Sequence, residues 1–295
     1  MRNNLAAARF IGIALVGFVL AAASRRLEAE SDLRFRLIDG TLIVISLTSD
    51  RGENFDFVLD TGTDTTVVDP EIAARLLFVP KDQIEVVSLA SRHAVLRGTI
   101  PALWAGSGKV ENVQVLLQDL HQLRGLDARI AGILGQNFLA HFNYLIDYRR
   151  RVVRFEVGDD VRNTIDGDEV AIQSQEDRIL IASEAQSHAS AQLSLVLDSG
   201  ADSLVLLRTA SQRLNLPRRT PLLQVVSGGQ VEMPAGTVPM LTVGSEKFRE
   251  ITAILPESEP GVQMGDGLLP TTLFRALYVN NREGFVVFNP RARKN

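Results

Sequence analysis

Short apolar runs separated by polar turns follow one another along the chain from about residue 33 onward. An apolar run at 42–45 is followed by the turn residues Ser-Asp-Arg-Gly at 49–52 and by a second run at 55–59. Runs of this length, bounded by Gly, Asp and Ser, are typical of β-strands. Helix signals are few: one start at 69–71 and one short segment at 209–214. The pattern therefore predicts an all-β protein with short helices only.

The same order of segments occurs twice. A hairpin is expected at 84–98, and its counterpart at 225–231. A closing strand pair is expected at 144–155 in the first half and at 277–288 in the second. The spacing of the motifs is conserved between the copies, because Asp198 follows Asp60 by almost as many positions as Gly267 follows Gly132. These observations predict an internal duplication, with each half folded into a small β-barrel lobe.

Each half also carries one aspartate at the end of an apolar run. The first copy reads FVLDTG at 57–62 and the second LVLDSG at 195–200. A carboxylate at the end of a buried strand is costly unless it is paired or used. Gly62 lets the backbone turn where a side chain would clash, and the hydroxyl of Thr61 can hold the turn. A single Asp-Thr-Gly segment is usually only a turn. Because the pattern occurs twice in one chain, we expect the two aspartates to have a common function.

The domain boundary is expected at 157–168, a stretch rich in Gly and Asp and poor in apolar residues. It separates a lobe at 24–157 from a lobe at 168–295. The first 23 residues have the layout of a secretory signal peptide: a positive start, an apolar core at 10–19, and small residues before a cleavage site after Ala23. We therefore expect an exported protein, either periplasmic or secreted.

An uncleaved N-terminal anchor is the alternative, and contact with a membrane is expected only in that case. Arg25 and Arg26, just after the cleavage site, keep this alternative open, because positive charge there hinders export. The apolar core is shorter than the roughly 20 residues of a comfortable membrane span.

Composition excludes several kinds of partner and chemistry. The net charge is −4 with no extended basic face, so no nucleic acid partner is expected. The chain has no cysteine, which excludes a thiolate metal site and a cysteine nucleophile, and its four histidines show no ligand spacing. It contains neither G-x-S-x-G nor H-E-x-x-H. No metal and no cofactor are expected.

The segments 59–67 (LDTGTDTTV) and 197–202 (LDSGAD) resemble the active-site stretch of retropepsin-like aspartic proteases, and 133–139 (ILGQNFL) resembles the second motif of that family. The resemblance implies the acid-protease fold, with two retropepsin-like β-barrel lobes in tandem in one chain. It also implies an aspartic endopeptidase that acts on a peptide or protein and works as a monomer. The hairpins at 84–98 and 225–231 would be flaps that close over an extended substrate.

The resemblance also assigns roles. Asp60 and Asp198 would be the catalytic pair, one from each lobe, and Thr61 and Ser199 would hydrogen-bond across the lobes. The residues supporting the pair would be Thr61, Gly62, Ser199 and Gly200, and the second motifs would contribute Gly132, Gly135 and Gly267.

Three features depart from the family pattern. Gln136 and Thr271 stand where an Arg often follows the Gly of the second motif, so Asp64 and Asp202 are expected to lack that cation and to cap local backbone N–H groups instead. The second copy has Pro270 where the first has Gly135. Neither flap carries the Tyr of pepsin-like enzymes. A non-catalytic peptide- or protein-binding module, or halves that pair with another chain, remain alternative hypotheses.

Overall fold

The computed structural model describes residues 32–87, 92–156, 160–175, 178–216, 219–226, 229–257 and 265–293. The expected signal segment, 1–23, lies outside these ranges. Strands dominate the described residues and every helix there is short, so the predicted all-β class is confirmed.

The strands fall into two similar series, one in each half of the chain. They are β1 (Asp32–Arg34), β2 (Arg36–Ile38), β3 (Leu42–Ser49), β4 (Asn54–Leu59), β5 (Thr66–Val68), β6 (Val79–Val87), β7 (Arg92–Ala105), β8 (Gly108–Leu117), β9 (Ile130–Leu134), β10 (Asn143–Asp147), β11 (Val152–Glu156), β12 (Ile165–Asp166), β13 (Glu169–Gln175), β14 (Arg178–Gln186), β15 (Ser190–Asp198), β16 (Leu204–Leu206), β17 (Arg219–Val226), β18 (Gly229–Val243), β19 (Glu246–Ile254), β20 (Gly267–Pro270), β21 (Ala276–Asn280), β22 (Phe285–Phe288) and β23 (Arg291–Ala292).

The helices are α1 (His121–Leu126), α2 (Gln136–Leu139), α3 (Asp160–Thr164) and α4 (Arg208–Arg213), with 3₁₀ helices at Pro70–Ile72 and Thr271–Leu273. Among the described residues, none of these helices has the length and apolar character needed to cross a membrane.

Each half closes one barrel. In the first half the strands pair in the order β3, β4, β9, β5, β8 and β7, and β7 returns to β3 where Thr48 lies opposite Trp104. In the second half the order is β14, β15, β20, β16, β19 and β18, and β18 returns to β14 where Ala185 lies opposite Leu241. Alternating apolar residues fill the barrels, as expected for sheets with one buried face. The predicted pair of tandem lobes is confirmed.

A third sheet region joins the halves. The expected closing strands of the two copies do not stay within their own lobes: β10 pairs antiparallel with β21, so that Tyr144 lies opposite Val279. The strand order β1, β11, β10, β21, β22 and β13 therefore runs without a break from one half to the other. Tyr144 and Tyr278 are both fully buried there, which makes this sheet part of the core rather than a loose contact.

Several local expectations change in the structure. The helix expected after Asp69 is a single 3₁₀ turn followed by irregular turns; Asp69 caps it by accepting a hydrogen bond from the Glu71 N–H at 2.9 Å, as its sequence position predicts. Strand β7 continues through the expected hairpin at 84–98 and on to Ala105. The expected linker at 157–168 contains α3 and β12, and its residues 157–159 lie outside the described ranges. The domain boundaries stay a prediction.

Candidate active site

Asp60 and Asp198 meet where the two barrels face each other. Asp60 directly follows β4 and Asp198 ends β15, so each carboxyl group sits at the carboxyl end of a strand that pairs in parallel with the strand of the second motif. The Asp60 N–H donates to the Leu134 carbonyl at 3.0 Å, which holds the end of β4 to β9. Each carboxyl group lies against the glycine that follows the other aspartate by two positions, so the two groups are neighbours. The structure thus brings together the two aspartates that the sequence singled out.

The residues after each aspartate tie the two halves together. Thr61 Oγ1 donates to the Leu197 carbonyl at 2.7 Å and accepts from the Ser199 N–H at 3.0 Å. Ser199 Oγ reciprocates by donating to the Leu59 carbonyl at 2.8 Å and accepting from the Thr61 N–H at 3.0 Å. Thr61 and Ser199 are essentially inaccessible to solvent. These are the cross-lobe hydrogen bonds that the resemblance implied, and they fix the spacing of the two loops.

The glycines after the hydroxyl residues face the opposite carboxyl group. A Cβ added to Gly62 would lie 2.5 Å from the Cγ of Asp198, and one added to Gly200 would lie 2.8 Å from the Cγ of Asp60. Real Cβ atoms do not approach other atoms so closely, so any side chain here would push the aspartates apart. Gly62 and Gly200 are therefore what lets each loop approach the aspartate of the other half.

The two carboxyl groups receive different hydrogen bonds. For Asp60, Oδ1 accepts from the Gly62 N–H and Oδ2 accepts from the Thr63 hydroxyl, both at 2.8 Å. For Asp198, the N–H groups of Gly200 and Ala201 both donate to Oδ1, at 2.7 Å and 3.0 Å. Thr63 supplies a side-chain hydroxyl three positions after its aspartate, whereas Ala201, at the matching position, has only its backbone N–H to donate.

Burial adds to this asymmetry. Asp198 is only 7% exposed, whereas Asp60 is partly open to solvent. Burial raises the pKa of Asp198 well above its usual range, and the neighbouring charge of Asp60 raises it further; the N–H donors of Gly200 and Ala201 oppose the shift. The protonated form of Asp198 is therefore favoured in the folded protein.

The second-motif glycines allow strands and loops to pack closely behind the aspartates. A Cβ on Gly132 would lie 2.4 Å from the Val67 carbonyl oxygen, and one on Gly267 would lie 1.9 Å from the Val205 carbonyl oxygen. A Cβ added to Gly135 would likewise lie only 2.8 Å from the backbone carbonyl carbon of Thr65. These three glycines therefore allow close packing of the backbone behind the aspartates.

The side chains that follow Gly135 hold the first loop. Gln136 is buried, and its amide donates to the Thr61 carbonyl at 2.9 Å. Asn137 accepts from both the N–H and the hydroxyl of Thr66 at 2.8 Å. Gln136 therefore binds the loop that follows Asp60 directly, in place of the Arg that often follows this Gly in the family.

An ion pair that the sequence did not reveal joins the halves beside the first loop. Arg178 Nη2, in β14 of the second half, lies 3.4 Å from Oδ2 of Asp64. The partner of Asp64 is thus a distant cation rather than the local N–H groups that we expected. Asp202, its counterpart in the second loop, is exposed. Arg178 is 114 positions from Asp64 in the sequence, so no local sequence pattern could have predicted this ion pair.

The expected flaps correspond to hairpins β6–β7 and β17–β18. Their strands pair up to Val87↔Arg92 and Val226↔Gly229, and the tips at 88–91 and 227–228 lie outside the described residues. Their role as flaps stays a prediction. Within the described ranges, no group of three or more His, Cys, Asp or Glu side chains is arranged to hold a metal ion.

Comparison with known proteins agrees with this geometry. A family model described as aspartyl protease matches the chain twice, at residues 45–138 and 187–272. The first match contains Asp60 and Gly132, and the second contains Asp198 and Gly267. The family model therefore matches both copies of the repeat and both candidate catalytic aspartates. A search of curated proteins finds no match. The two matches cover more than half of the chain, and the protein belongs to the aspartyl protease family.

Proposed function

We propose that the protein is an aspartic endopeptidase that hydrolyses peptide bonds with a water molecule activated between Asp60 and Asp198. The observation that carries the proposal is the placement of these two carboxyl groups side by side, each against the glycine turn of the other half and each delivered by a different half of one chain. Two adjacent carboxylates cannot both ionise comfortably, so they share one proton and titrate as a pair. Such a pair supplies a base and an acid at one place.

The asymmetry of the site supports separate roles for the two aspartates. Asp60, whose two oxygens accept from Gly62 N–H and the Thr63 hydroxyl, is the ionised member and acts as general base. It removes a proton from the water as the water oxygen attacks the scissile carbonyl carbon. Asp198, kept protonated by burial, donates its proton to the carbonyl oxygen. The product of this step is a tetrahedral gem-diol without a covalent link to the enzyme.

The second step returns the protons. The proton on Asp60 passes to the departing amine as the C–N bond breaks, and one gem-diol hydroxyl gives its proton back to Asp198. The pair is then ready for another cycle. The cross-lobe bonds of Thr61 and Ser199 support this chemistry, because they hold both carboxyl groups in place before the substrate binds.

The proposal extends to the setting in which the enzyme works. Its substrate is a peptide or protein bound in extended form under hairpins β6–β7 and β17–β18, which exclude water when they close. One chain supplies both aspartates, which supports a monomeric enzyme. The signal-like segment at 1–23 supports export.

The test uses residues 24–295 produced without the signal segment, with an unstructured protein as substrate and the fragments identified by mass spectrometry. Asp60→Asn and Asp198→Asn should each lower the rate by roughly a thousandfold or more. Asp39→Asn, in an exposed turn away from the site, should leave it unchanged. Full activity in either dyad variant would refute the proposal. A wild-type protein that binds peptide without cleaving it, as tightly as the double Asn variant does, would support a binding module instead.

A further inference from the structure

Exposed arginines gather at one end of the sheet that joins the two halves. We call them the arginine cluster, and its members are Arg34, Arg149, Arg150, Arg151 and Arg275. They come from three segments: the edge strand β1, the turn between β10 and β11, and the residue before β21. In this sheet β1, β11, β10 and β21 are successive neighbours. Neighbouring strands are about 4.8 Å apart, so the four strand ends span only about 15 Å.

Strand register brings the arginines of β1 and of the turn to the same end of the sheet. Arg34 ends β1 and lies opposite Val152, the first residue of β11. The next residue, Phe35, donates its backbone N–H to the Arg151 carbonyl at 3.0 Å. Arg34 and the turn therefore stay side by side in the folded protein.

The other side of the turn is held against β21. The Tyr148 N–H donates to the Arg275 carbonyl at 3.0 Å, which places Arg275 beside the start of the turn. The Tyr148 hydroxyl is 2.6 Å from Oγ1 of Thr271, and its ring packs edge-on against Phe35 with centroids 5.9 Å apart. These contacts fix the backbone from which the cluster projects.

Little negative charge opposes the arginine cluster. Asp32 lies 3.6 Å from Arg150 but only 2.6 Å from Arg154, with which it pairs more closely. Asp147 accepts from the Arg150 N–H at 2.8 Å and so caps the turn. Among the described residues, no carboxylate comes within ion-pair distance of the other four arginines of the cluster. The chain has a net charge of −4, so this excess of positive charge is local, and an anionic surface would relieve its repulsion.

The sequence before β1 indicates which anionic surface lies near the cluster. The apolar core of the signal-like segment ends at residue 19, and β1 begins at Asp32. The residues between them, 20–31, span at most about 40 Å when fully extended. They include Arg25 and Arg26, which stay joined to β1 even if the chain is cleaved after Ala23. The strand that carries Arg34 is thus tethered close to the membrane that the N-terminal segment enters.

We propose that the arginine cluster binds the anionic phospholipid surface of that membrane. Guanidinium groups bind phosphate oxygens through paired N–H donors, and each one near a negatively charged bilayer adds to the attraction. The proposal extends membrane contact from the N-terminal segment to the folded part of the chain. It assigns no catalytic group, so it can fail while the proposed peptidase activity holds, and the reverse.

Sedimentation with vesicles tests the proposal. The protein is residues 24–295, which keep every described residue and lack the apolar core at 10–19. The vesicles are either pure phosphatidylcholine or equal parts of phosphatidylcholine and phosphatidylglycerol. We expect binding to the mixed vesicles and none to phosphatidylcholine alone. Salt at about 1 M should release the protein, because it shortens the Debye length to about 3 Å.

A triple variant removes charge from the cluster without breaking an ion pair of the described structure. It combines Arg149→Gln, Arg151→Gln and Arg275→Gln, and leaves Arg150 with Asp32. Each basic residue near an anionic membrane contributes about fivefold in affinity, so the variant should bind the mixed vesicles about a hundredfold more weakly. Its thermal unfolding should match that of the wild type, which shows that the loss of binding is not a loss of folding.

The matched control combines Arg51→Gln, Arg208→Gln and Arg249→Gln. These arginines are also exposed, but they lie in the β3–β4 turn, in α4 and in β19. The control variant has the same net charge as the cluster variant and should bind nearly as tightly as the wild type. Equal losses in the two triple variants, or no binding of the wild type to the mixed vesicles, would overturn the proposal. Wild-type protein retained by immobilised polyglutamate but not by vesicles would also overturn it, in favour of an acidic protein partner.

Discussion

Arg178 of the second half reaches Asp64 in the loop that follows Asp60 in the first half, with 3.4 Å between Nη2 and Oδ2. The Arg178 side chain is 10% exposed and that of Asp64 is 45% exposed. A half-buried pair of this kind contributes more than a surface pair, because removing one partner leaves the other charge poorly solvated. The contact adds a charged link to the hydroxyl network of Thr61 and Ser199.

Arg178→Gln should therefore lower the free energy of unfolding by about 1–2 kcal/mol. Chemical denaturation measures the change, and a double-mutant cycle with Asp64→Asn should show that the two residues are coupled. Arg97→Gln is the control: Arg97 pairs with Asp82 on the exposed face of one hairpin, where solvent screens both charges, and its loss should cost clearly less than that of Arg178. Additive effects of Arg178→Gln and Asp64→Asn would contradict the importance of this pair.

A single methyl group at Gly62 should abolish most of the activity. In Gly62→Ala the Cβ would overlap the Asp198 carboxyl group, so the two aspartates must separate. A displacement of about 1 Å can cost on the order of a hundredfold in rate, and we expect at least that loss in kcat/KM. Gly125→Ala, in open space in α1, should retain wild-type activity. Near-normal kinetics of Gly62→Ala would mean that the carboxyl groups need not be adjacent.

Thr63 should determine which aspartate acts as the base. Thr63→Ala removes the hydroxyl that donates to Asp60 Oδ2, a hydrogen bond to a charged group worth about 1.5–3 kcal/mol. The ionised form of Asp60 becomes less favourable, so the acid limb of the pH profile should move to higher pH and the rate at acidic pH should fall about tenfold or more. The pH dependence of kcat/KM measures both effects. A profile identical to the wild type would show that the Thr63 hydroxyl is dispensable.

Ala201 is the counterpart of Thr63 in the second half, and Ala201→Ser should move the alkaline limb of the pH profile of kcat/KM. A hydroxyl there can donate to the Asp198 carboxylate, which favours the charged form and lowers the pKa of Asp198. The alkaline limb should then move to lower pH while the acid limb stays in place. Movement of the acid limb alone would contradict the assignment of Asp198 as the acid.

Asp198→Asn should stabilise the protein at neutral pH. The pKa of Asp198 is raised in the folded state, so folding binds a proton more tightly, and wild-type stability falls as pH rises from the ordinary carboxyl range through the raised pKa. Asparagine does not ionise and avoids this loss. We expect the variant to gain about 1 kcal/mol at pH 7 and little at pH 3, as measured by denaturation at both pH values. A gain of the same size at both pH values would show that charge is not the cause.

The features that the sequence predicted are those with a local signature. Alternating apolar positions mark the strands, and Asp60 and Asp198 stand out because each ends an apolar run before a hydroxyl residue and a glycine. The helix α1 has no such mark: its N-cap, Leu120, makes no side-chain cap, and the helix is only six residues long. Short helices without caps are held by their surroundings, which the sequence does not display.

The contacts between the halves could not be predicted in the same way. Arg178 and Asp64 are 114 positions apart, and Tyr148 and Thr271 are 123 apart, so no spacing rule connects them. The closing strands were predicted, yet nothing in their pattern showed that β10 would pair with β21 rather than stay in its own lobe. Such pairings depend on how two complete barrels dock.

Both copies lie in one polypeptide, and the unbroken sheet from β1 to β13 holds them together. In a homodimer every substitution appears in both subunits, so a change near the aspartate that acts as base also changes the surroundings of the aspartate that acts as acid. Here Thr63 and Ala201, or Gln136 and Thr271, can be selected one at a time. The shared sheet keeps the two copies together while this divergence proceeds, and it frees each carboxyl group to acquire surroundings of its own.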